Sequence, residues 1–370
     1  IKERRIPMRI AILIVGAIVY YIVWLMISKM IIKAFQMKRK LPITIGLLSL
    51  GTIPLFCVID YIWRGIPFVE FIAYVGYIEL GFFIYFLLSL GLIMLIKKII
   101  SAIKKAKWNL TSKSSILVAS IMSIVICFWG ILAAQIPEYT YHKMDIGLEE
   151  KLKVTVVSDI HYGATGSFLS LENMVKNINK TNPDLVLLVG DVFDNKTRNL
   201  DHSFFVNTMN KITSKYGTYA ITGNHEFMQN NLEEIASFYE GTHIKLLLDE
   251  EVIINDAVRL LGRIDYRGGR KDLNDIVSDS DLPLIVLDHQ PQFYRDAKEL
   301  ADLQISGHTH NGQIFPGEIL IFFLNLIAFQ SPSDGVHRYN DFTLAITRGY
   351  GTWGFPMRLT GPSQIMVFEL

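Results

Sequence analysis

The chain has 370 residues, 51% of them hydrophobic, and a formal net charge of +1. That near-neutral total conceals two unlike parts: residues 1–136 carry 16 Lys and Arg against 4 Asp and Glu, and the remainder carries 20 against 31. An acidic second part without a basic stripe argues against a nucleic-acid partner. The only two cysteines, Cys57 and Cys127, fall in the first part, which excludes a thiolate metal centre or disulfide framework in the second.

The basic part reads as membrane. Apolar runs at roughly 8–28, 42–62, 68–96 and 115–136 are each long enough to cross about 30 Å of hydrocarbon. A cleaved signal peptide is not expected, since three more spans follow and no small-residue cleavage site stands out. Arg4-Arg5 reads as a flanking charge. Glu70 and Glu79 lie in the third run, Glu70 expected at the interface and Glu79 paired inside the bundle; a substrate or ion role is the alternative. Four spans put both termini on one side. Lys29, Lys33, Lys38, Arg39 and Lys40 flank the first loop, and Lys97, Lys98, Lys104, Lys105, Lys107 and Lys113 the third. The opposite side carries Lys2, Arg4, Arg5, Arg9, Arg64, Lys143, Lys151 and Lys153. The positive-inside rule then puts the Lys-rich loops in the cytoplasm and the acidic part on the extracytoplasmic face of the cell membrane. The Lys-rich run 97–113 is expected to be this topology signal, with anionic-lipid binding as the alternative.

Pro137 follows the last span, and the polar stretch EYTYHKMDIGLEEKLK reads as a linker over 137–152. From 153 to 370, the strand-like runs VTVVSDIH, LVLLVGDV and YAITGNHE alternate with the helical patterns SLENMVKNINK, SFFVNTMNKITSKY and NLEEIASFYE. LIVLDHQ and LQISGHTH follow in the same style. This alternation predicts an α/β domain with a largely parallel core. The further strand candidates HIKLLLDEEVIIN, VRLLGRID, FTLAITRGY and QIMVFEL arrive without helices between them, so parts of the sheet are expected to be antiparallel.

Five apolar runs end in metal-ligand chemistry: Asp159 and His161, Asp191 after Gly190, Asn224 before His225, His289, and His308 with His310. Sites in open α/β sheets gather at the carboxyl ends of strands. Seven potential ligands at five such ends therefore predict one two-metal site. The i, i+2 pairs Asp159/His161 and His308/His310 would face one way, and the two oxygens of Asp191 can bridge two ions. Mixed His, carboxylate and amide ligation suits Mn, Fe or Zn better than Mg or Ca. His142, His202, His243 and His337 lie outside the pattern and read as surface or structural.

The ordered blocks D-x-H, G-D-x-x-D, G-N-H-[DE], H and G-H-x-H, spread over 153–370, resemble the calcineurin-like metallophosphoesterases. The resemblance implies an αββα sandwich following the four-span α-helical membrane domain. It also implies two divalent metals, one held by Asp159, His161, Asp191 and His310, the other by Asp191, Asn224, His289 and His308. Asp191 would bridge them, with a hydroxide between the metals as the nucleophile. His225 matches the family histidine that protonates the leaving oxygen or steadies the phosphate. Glu226 would orient its neighbour, and Asp194 would support the bridging region.

The tail, SGHTHNGQIFP followed by an apolar insert and TRGYGTWGFPMRLTGPSQIMVFEL, resembles the membrane-associated bacterial branch of that family. The branch includes proteins with N-terminal spans and hydrolases of UDP-diacylglucosamine; Asn311 and Gly361-Pro-Ser-Gln depart from its usual pattern, which leaves the substrate open. The segment Ile314–Phe329 is too short and interrupted to span. It is expected either to pack on the domain or bundle, or to lie in the bilayer surface. Arg348 and Arg358 are candidates for phosphate or headgroup contacts, the alternative being structural ion pairs. The expected function is a membrane-anchored phosphoesterase or pyrophosphatase acting on a phosphorylated lipid or lipid-linked substrate. Alternatives are the same chemistry on a soluble nucleotide or cell-wall phosphodiester, or a transporter or sensor regulated by its metal domain.

Overall fold

The computed structural model describes residues 2–370 except 63–65, 105–110, 165–169, 195, 325–326 and 328–330, and of residues 2–14 the backbone alone. Arg64, Lys105, Lys107 and part of the 314–329 segment lie outside the described residues. The chain divides into two compact units, Ile1–Phe128 and Trp129–Leu370.

The first unit is helical: α1 (Lys2–Ala34), α2 (Lys40–Leu50), α3 (Leu55–Ile62), α4 (Pro67–Lys104) and most of α5 (Ser112–Gln135). Four stretches are long and apolar enough to cross a membrane, Val15–Ala34, Lys40–Asp60, Phe68–Ile103 and Ser112–Gln135. The second is not one helix. It breaks between Leu50 and Leu55, where Pro54 has no amide hydrogen to continue the ladder. Ile27, Phe83, Phe86, Leu90 and Ala119 bury against one another, while Ile22, Met26, Leu95 and Ile124 stay exposed. Helices apolar on every side suit lipid rather than water. Glu70 falls in the first turn of α4, at the end of its span.

The second unit opens with a correction. Residues expected as linker form β1 (Glu138–Lys143), which pairs in parallel with the C-terminal strand β12 (Gln364–Glu369). An exposed edge strand needs no continuous apolar run, so polar residues masked it. The other strands are β2 (Lys153–Val157), β3 (Leu185–Val189), β4 (Thr218–Ile221), β5 (Ile244–Leu246), β6 (Glu250–Ile254), β7 (Val258–Gly262), β8 (Leu284–Leu287), β9 (Leu303–Ser306), β10 (Gly335–Tyr339) and β11 (Phe342–Ile346). They form two sheets, ordered β1-β12-β2-β3-β4-β5 and β10-β11-β9-β8-β7-β6. The run HIKLLLDEEVIIN thus supplies β5 to one sheet and β6 to the other. β2 to β5 run in parallel, as do β7, β8, β9 and β11; β12, β6 and β10 pair antiparallel with β2, β7 and β11.

β3 shows why its sequence is apolar throughout. Leu185, Leu187 and Val189 face the core between the sheets, with Leu260, Ile285, Leu287 and Ile305 of the second sheet. Val186 and Leu188 face outward, onto α6 (Leu171–Asn179), α7 (His202–Met209) and α9 (Leu232–Phe238) through Met174, Ile178, Phe205 and Phe238. Strands covered on both faces read as continuous hydrophobic runs. On the far face of the second sheet, α10 (Tyr294–Ala297) packs through Tyr294 and Ala297 on Val286 and Leu344. The result is the αββα sandwich expected. Two short helices complete it, α8 (Glu226–Gln229) and α11 (Gly317–Leu324).

Candidate metal centre

The loops leaving β2, β3, β4, β8 and β9 carry Asp159 and His161, Asp191, Asn224, His289, and His308 and His310, and the structure brings these seven residues together. Asp159 Oδ1 lies 3.3 Å from His310 Nε2 and 4.0 Å from His161 Nε2, and the two imidazole nitrogens are 3.0 Å apart. Asp191 Oδ2 lies 4.0 Å from His161 Nε2 and 3.1 Å from His289 Nε2. Asp159, His161 and His310 form one group able to hold a metal; Asp191, His289 and His308 form another. One carboxylate oxygen thus stands between two groups of donors.

Reaching this convergence strains the backbone. Asp159, His161, Asp191, His308 and His310 all have φ between 49° and 74°, a region that costs non-glycine residues about 1–3 kcal/mol each. Close approach by neighbouring chain is the other requirement. A Cβ on Gly223 would collide with Asp191 Oδ1, and one on Gly349, itself at φ +80°, would fall 2.7 Å from Asp159 Cβ.

The donor set fits metal ions. Asn224 Oδ1 is buried and makes no hydrogen bond, and His289 Nε2 is buried beside the Asp159 and Asp191 carboxylates. His289 Nδ1 donates to Val189 O at 2.8 Å, so Nε2 is the nitrogen that faces the cluster. Burial, with His225 adding, holds His161 down to about 3, and burial with His289 holds His308 down to about 4. Burial and Arg358 hold His310 well below its ordinary value. These three are neutral imidazoles, the state a metal needs. For His289, burial is outweighed by the Asp191 carboxylate, which raises it; Asp191 is lowered in turn, chiefly by His289 and His225, against its own burial.

His225 sits beside these groups. Its backbone N–H donates to Asp191 Oδ1 at 2.8 Å, and its Nδ1 lies 2.8 Å from Asp194 Oδ1. Burial would lower its pKa, but the Asp191 and Asp194 carboxylates push it up to about 9. His225 also forms, with His161 and Asp191, a third group of metal-ligand geometry.

Two supporting residues act differently from expectation. Glu226 does not orient His225. Its carboxylate accepts the backbone N–H groups of Val192 (2.5 Å) and Phe193 (3.2 Å) at Oε1, and of Asp191 (3.2 Å) and Gly223 (2.9 Å) at Oε2. It therefore clamps the loops that carry Asp191 and Asn224. Burial and the Asp191 charge push its carboxyl up to about 8, and the amide donors work against that. Asp194 supports two histidines: Oδ1 meets His225, and Oδ2 lies 3.7 Å from His161 Nδ1.

The two arginines hold structure. The Arg348 guanidinium pairs with Glu138 of β1. Arg358 is fully buried, and its Nη2 lies 2.6 Å from Gly351 O, 2.8 Å from Arg348 O and 3.1 Å from His310 Nδ1. Nε donates to Gly351 O as well, at 3.1 Å. Arg358 thus backs a ligand from behind rather than facing a substrate. The remaining histidines are structural or exposed: His142 packs at a tilt against Phe368, His202 meets Phe238 O and His337 meets Asp334 O, while His243 is exposed.

Sequence reasoning passed over three contributors. The Ser158 hydroxyl sits 2.5 Å from Asp159 Oδ2 and 2.8 Å from Val189 O. Gln313 donates its amide to Trp353 O and Phe355 O and accepts from Trp353 N–H. Trp353, thereby fixed, packs edge-on against His225 with ring centres 5.4 Å apart. The signals were a polar residue beside a ligand, a Gln three places after His310, and a Trp within a glycine-rich run.

Residues 152–312 match the family model of the calcineurin-like phosphoesterases. An uncharacterized metallophosphoesterase of Helicobacter pylori is 31% identical over 233 residues, 60% of either chain. A transmembrane protein with metallophosphoesterase domain from Danio rerio is 28% identical over 309 residues, 76% of this chain and 69% of the relative. The chain therefore spans about 60% of the length of the first of these relatives. A solved structure from Thermus thermophilus aligns with TM-score 0.36 at 12% identity, covering 54% of this chain and 91% of that one. Residues 152–312 are thus a calcineurin-like metallophosphoesterase domain, preceded by four apolar stretches of membrane length.

Proposed function

We propose that the chain is a membrane-anchored, dinuclear metal-dependent phosphoesterase, cutting a phosphoester or pyrophosphate bond in a lipid or lipid-linked substrate. The observation that carries the dinuclear reading is Asp191 Oδ2, which lies near ligand atoms of both donor groups. Asp159, His161, Asp191 and His310 would hold one ion, and Asp191, Asn224, His289 and His308 the other. Mn fits this oxygen-and-imidazole set, as do Fe and Zn. When bound, two divalent ions supply charge that polarises a phosphoryl group and acidifies a water for attack.

The chain's own residues do the rest. Water oxygen gives a proton to solvent and adds to phosphorus, the bond to the leaving oxygen breaks, and that oxygen takes a proton. His225 is placed to give it: Asp194 holds Nδ1, which leaves Nε2 for the substrate, and the Asp194 carboxylate favours the protonated ring. Trp353 packs against that ring and fixes its tilt. Glu226 holds the Asp191 and Asn224 loops at a fixed separation. A lipid substrate is favoured by four apolar stretches of membrane length in the same chain and by an apolar helix, α11, close behind His310. The Lys-rich first and third loops favour an extracytoplasmic catalytic unit.

In detergent with Mn²⁺, the purified chain should hydrolyse an aryl phosphate or phosphodiester, and Asp191→Asn should lose both turnover and bound metal. Unchanged turnover in that variant overturns the mechanism. Headgroup release from a panel of membrane lipids, compared with soluble diesters, tests the substrate class. Protease access in intact cells tests the orientation.

A further inference from the structure

α11 begins where the last metal-ligand loop ends. The turn His310–Gly312 packs on it so closely that a Cβ on Gly312 would collide with the Glu318 backbone nitrogen. Its sequence, GEILIFFL, has one charge and no polar face. Leu320 is 62% exposed, Phe322 56% and Phe323 51%. These positions, with Ile319, spread around more than a third of the helix circumference at about 100° per residue. A helix of a water-soluble domain turns a polar stripe outward; this one turns out apolar residues. At eight residues it is about 12 Å long, far short of the length needed to cross hydrocarbon.

The neighbouring helix end points to what covers it. The span Ser112–Gln135 ends inside the catalytic unit, and its last turns are bonded to the loop that also grips α11's origin. Arg358 N–H donates to Gly130 O at 2.9 Å, Ser363 N–H to Ala133 O at 3.2 Å, and the Ser363 hydroxyl to Ala134 O at 2.7 Å. From the same loop, Leu359 N–H donates to Gln313 O, and the Gln313 side chain clasps Trp353. The end of a membrane-length helix, the loop 353–363, the ligand turn and α11 are thus one bonded assembly. Trp129 and Trp353, both exposed, belong to it, and Trp is the residue enriched at membrane–water boundaries.

We infer that α11, with Trp353 beside it, lies flat in the lipid–water interface and holds the metal centre against the bilayer surface. The occupant of its exposed face is lipid. This surface stands whichever bond the centre cuts.

The test needs no turnover, so it fails separately from the hydrolytic reading. In the full chain with Cys57→Ser and Cys127→Ser, an environment-sensitive fluorophore is attached at Leu320→Cys and, as a control, at the exposed Glu299→Cys, in nanodiscs of mixed neutral and anionic phospholipid. At position 320 the emission should shift to the blue, lose most of its intensity to lipids bearing a nitroxide high on the acyl chain, and resist aqueous iodide. Position 299 should behave in the opposite way. Iodide quenching at 320 without lipid quenching overturns the proposal, because the face then meets water. Protection from both quenchers also overturns it, because protein, either the spans or a second copy, then covers the helix.

Discussion

Glu226→Gln exchanges one carboxylate oxygen for an amino group at nearly constant volume, so it isolates the clamp on the ligand loops. Above about pH 8, where it is ionised, the carboxylate accepts four buried backbone N–H groups, two at each oxygen. Glutamine keeps one acceptor oxygen and turns N–H donors toward the other pair, either Val192 with Phe193 or Asp191 with Gly223. An unsatisfied buried donor costs about 1–3 kcal/mol, so two cost about 2–6 kcal/mol. Local opening of these loops should rise by the matching factor, about 30-fold to about 10⁴-fold. Hydrogen-exchange mass spectrometry on the full chain in detergent reads this directly, in peptides covering 189–194 and 222–226. Bound metal should fall in parallel, because Asp191 and Asn224 ride on those loops. Protection within about threefold of the parent chain in both peptides, with metal retained, would refute the clamp.

His225→Asn should lower kcat by about 10²–10⁴-fold while leaving bound metal unchanged. Loss of one metal equivalent would instead make His225 a ligand, as its grouping with His161 and Asp191 permits. In the chelated protein the histidines divide by sign. His161 and His308, held at about 3 and about 4 against an ordinary 6.5, stabilise the fold above about pH 6.5 and lose that contribution as pH falls. His225, raised to about 9, contributes fully below about 6.5 and loses that contribution as pH rises through 9. Calorimetry of the chelated chain should therefore give its highest Tm for the catalytic unit near neutral pH, and a Tm rising steadily into alkali would contradict this.

The candidate ligands were legible because each is local: it follows an apolar run, and the run's length and branching mark a strand that ends there. Asp159, Asp191, Asn224, His289 and His308 needed no knowledge of their neighbours to be singled out. The four membrane-length stretches were legible for the same reason, since hydropathy is a property of consecutive residues. β1 was not, because an edge strand is defined by its partner 226 residues away, Glu138 opposite Gln364, and not by its own composition. Sheet membership likewise separated β5 from β6 across a turn of three residues.

The supporting roles depended on tertiary structure altogether. Glu226 neighbours His225 in sequence but serves backbone amides 33 to 35 positions away as well as Gly223. Arg358 looked like a phosphate contact, but it is buried behind His310, with Nη2 turned to two backbone carbonyls and to His310 Nδ1. By itself, then, the sequence determined which atoms can bind metal and which stretches can enter lipid, because both are chemistry of short segments. The order of strands in two sheets decided that Asp191 stands between two groups of donors, that Asp194 meets two histidines and that α11 springs from the turn after His310. Those are distances between segments remote in the chain, and packing alone sets them.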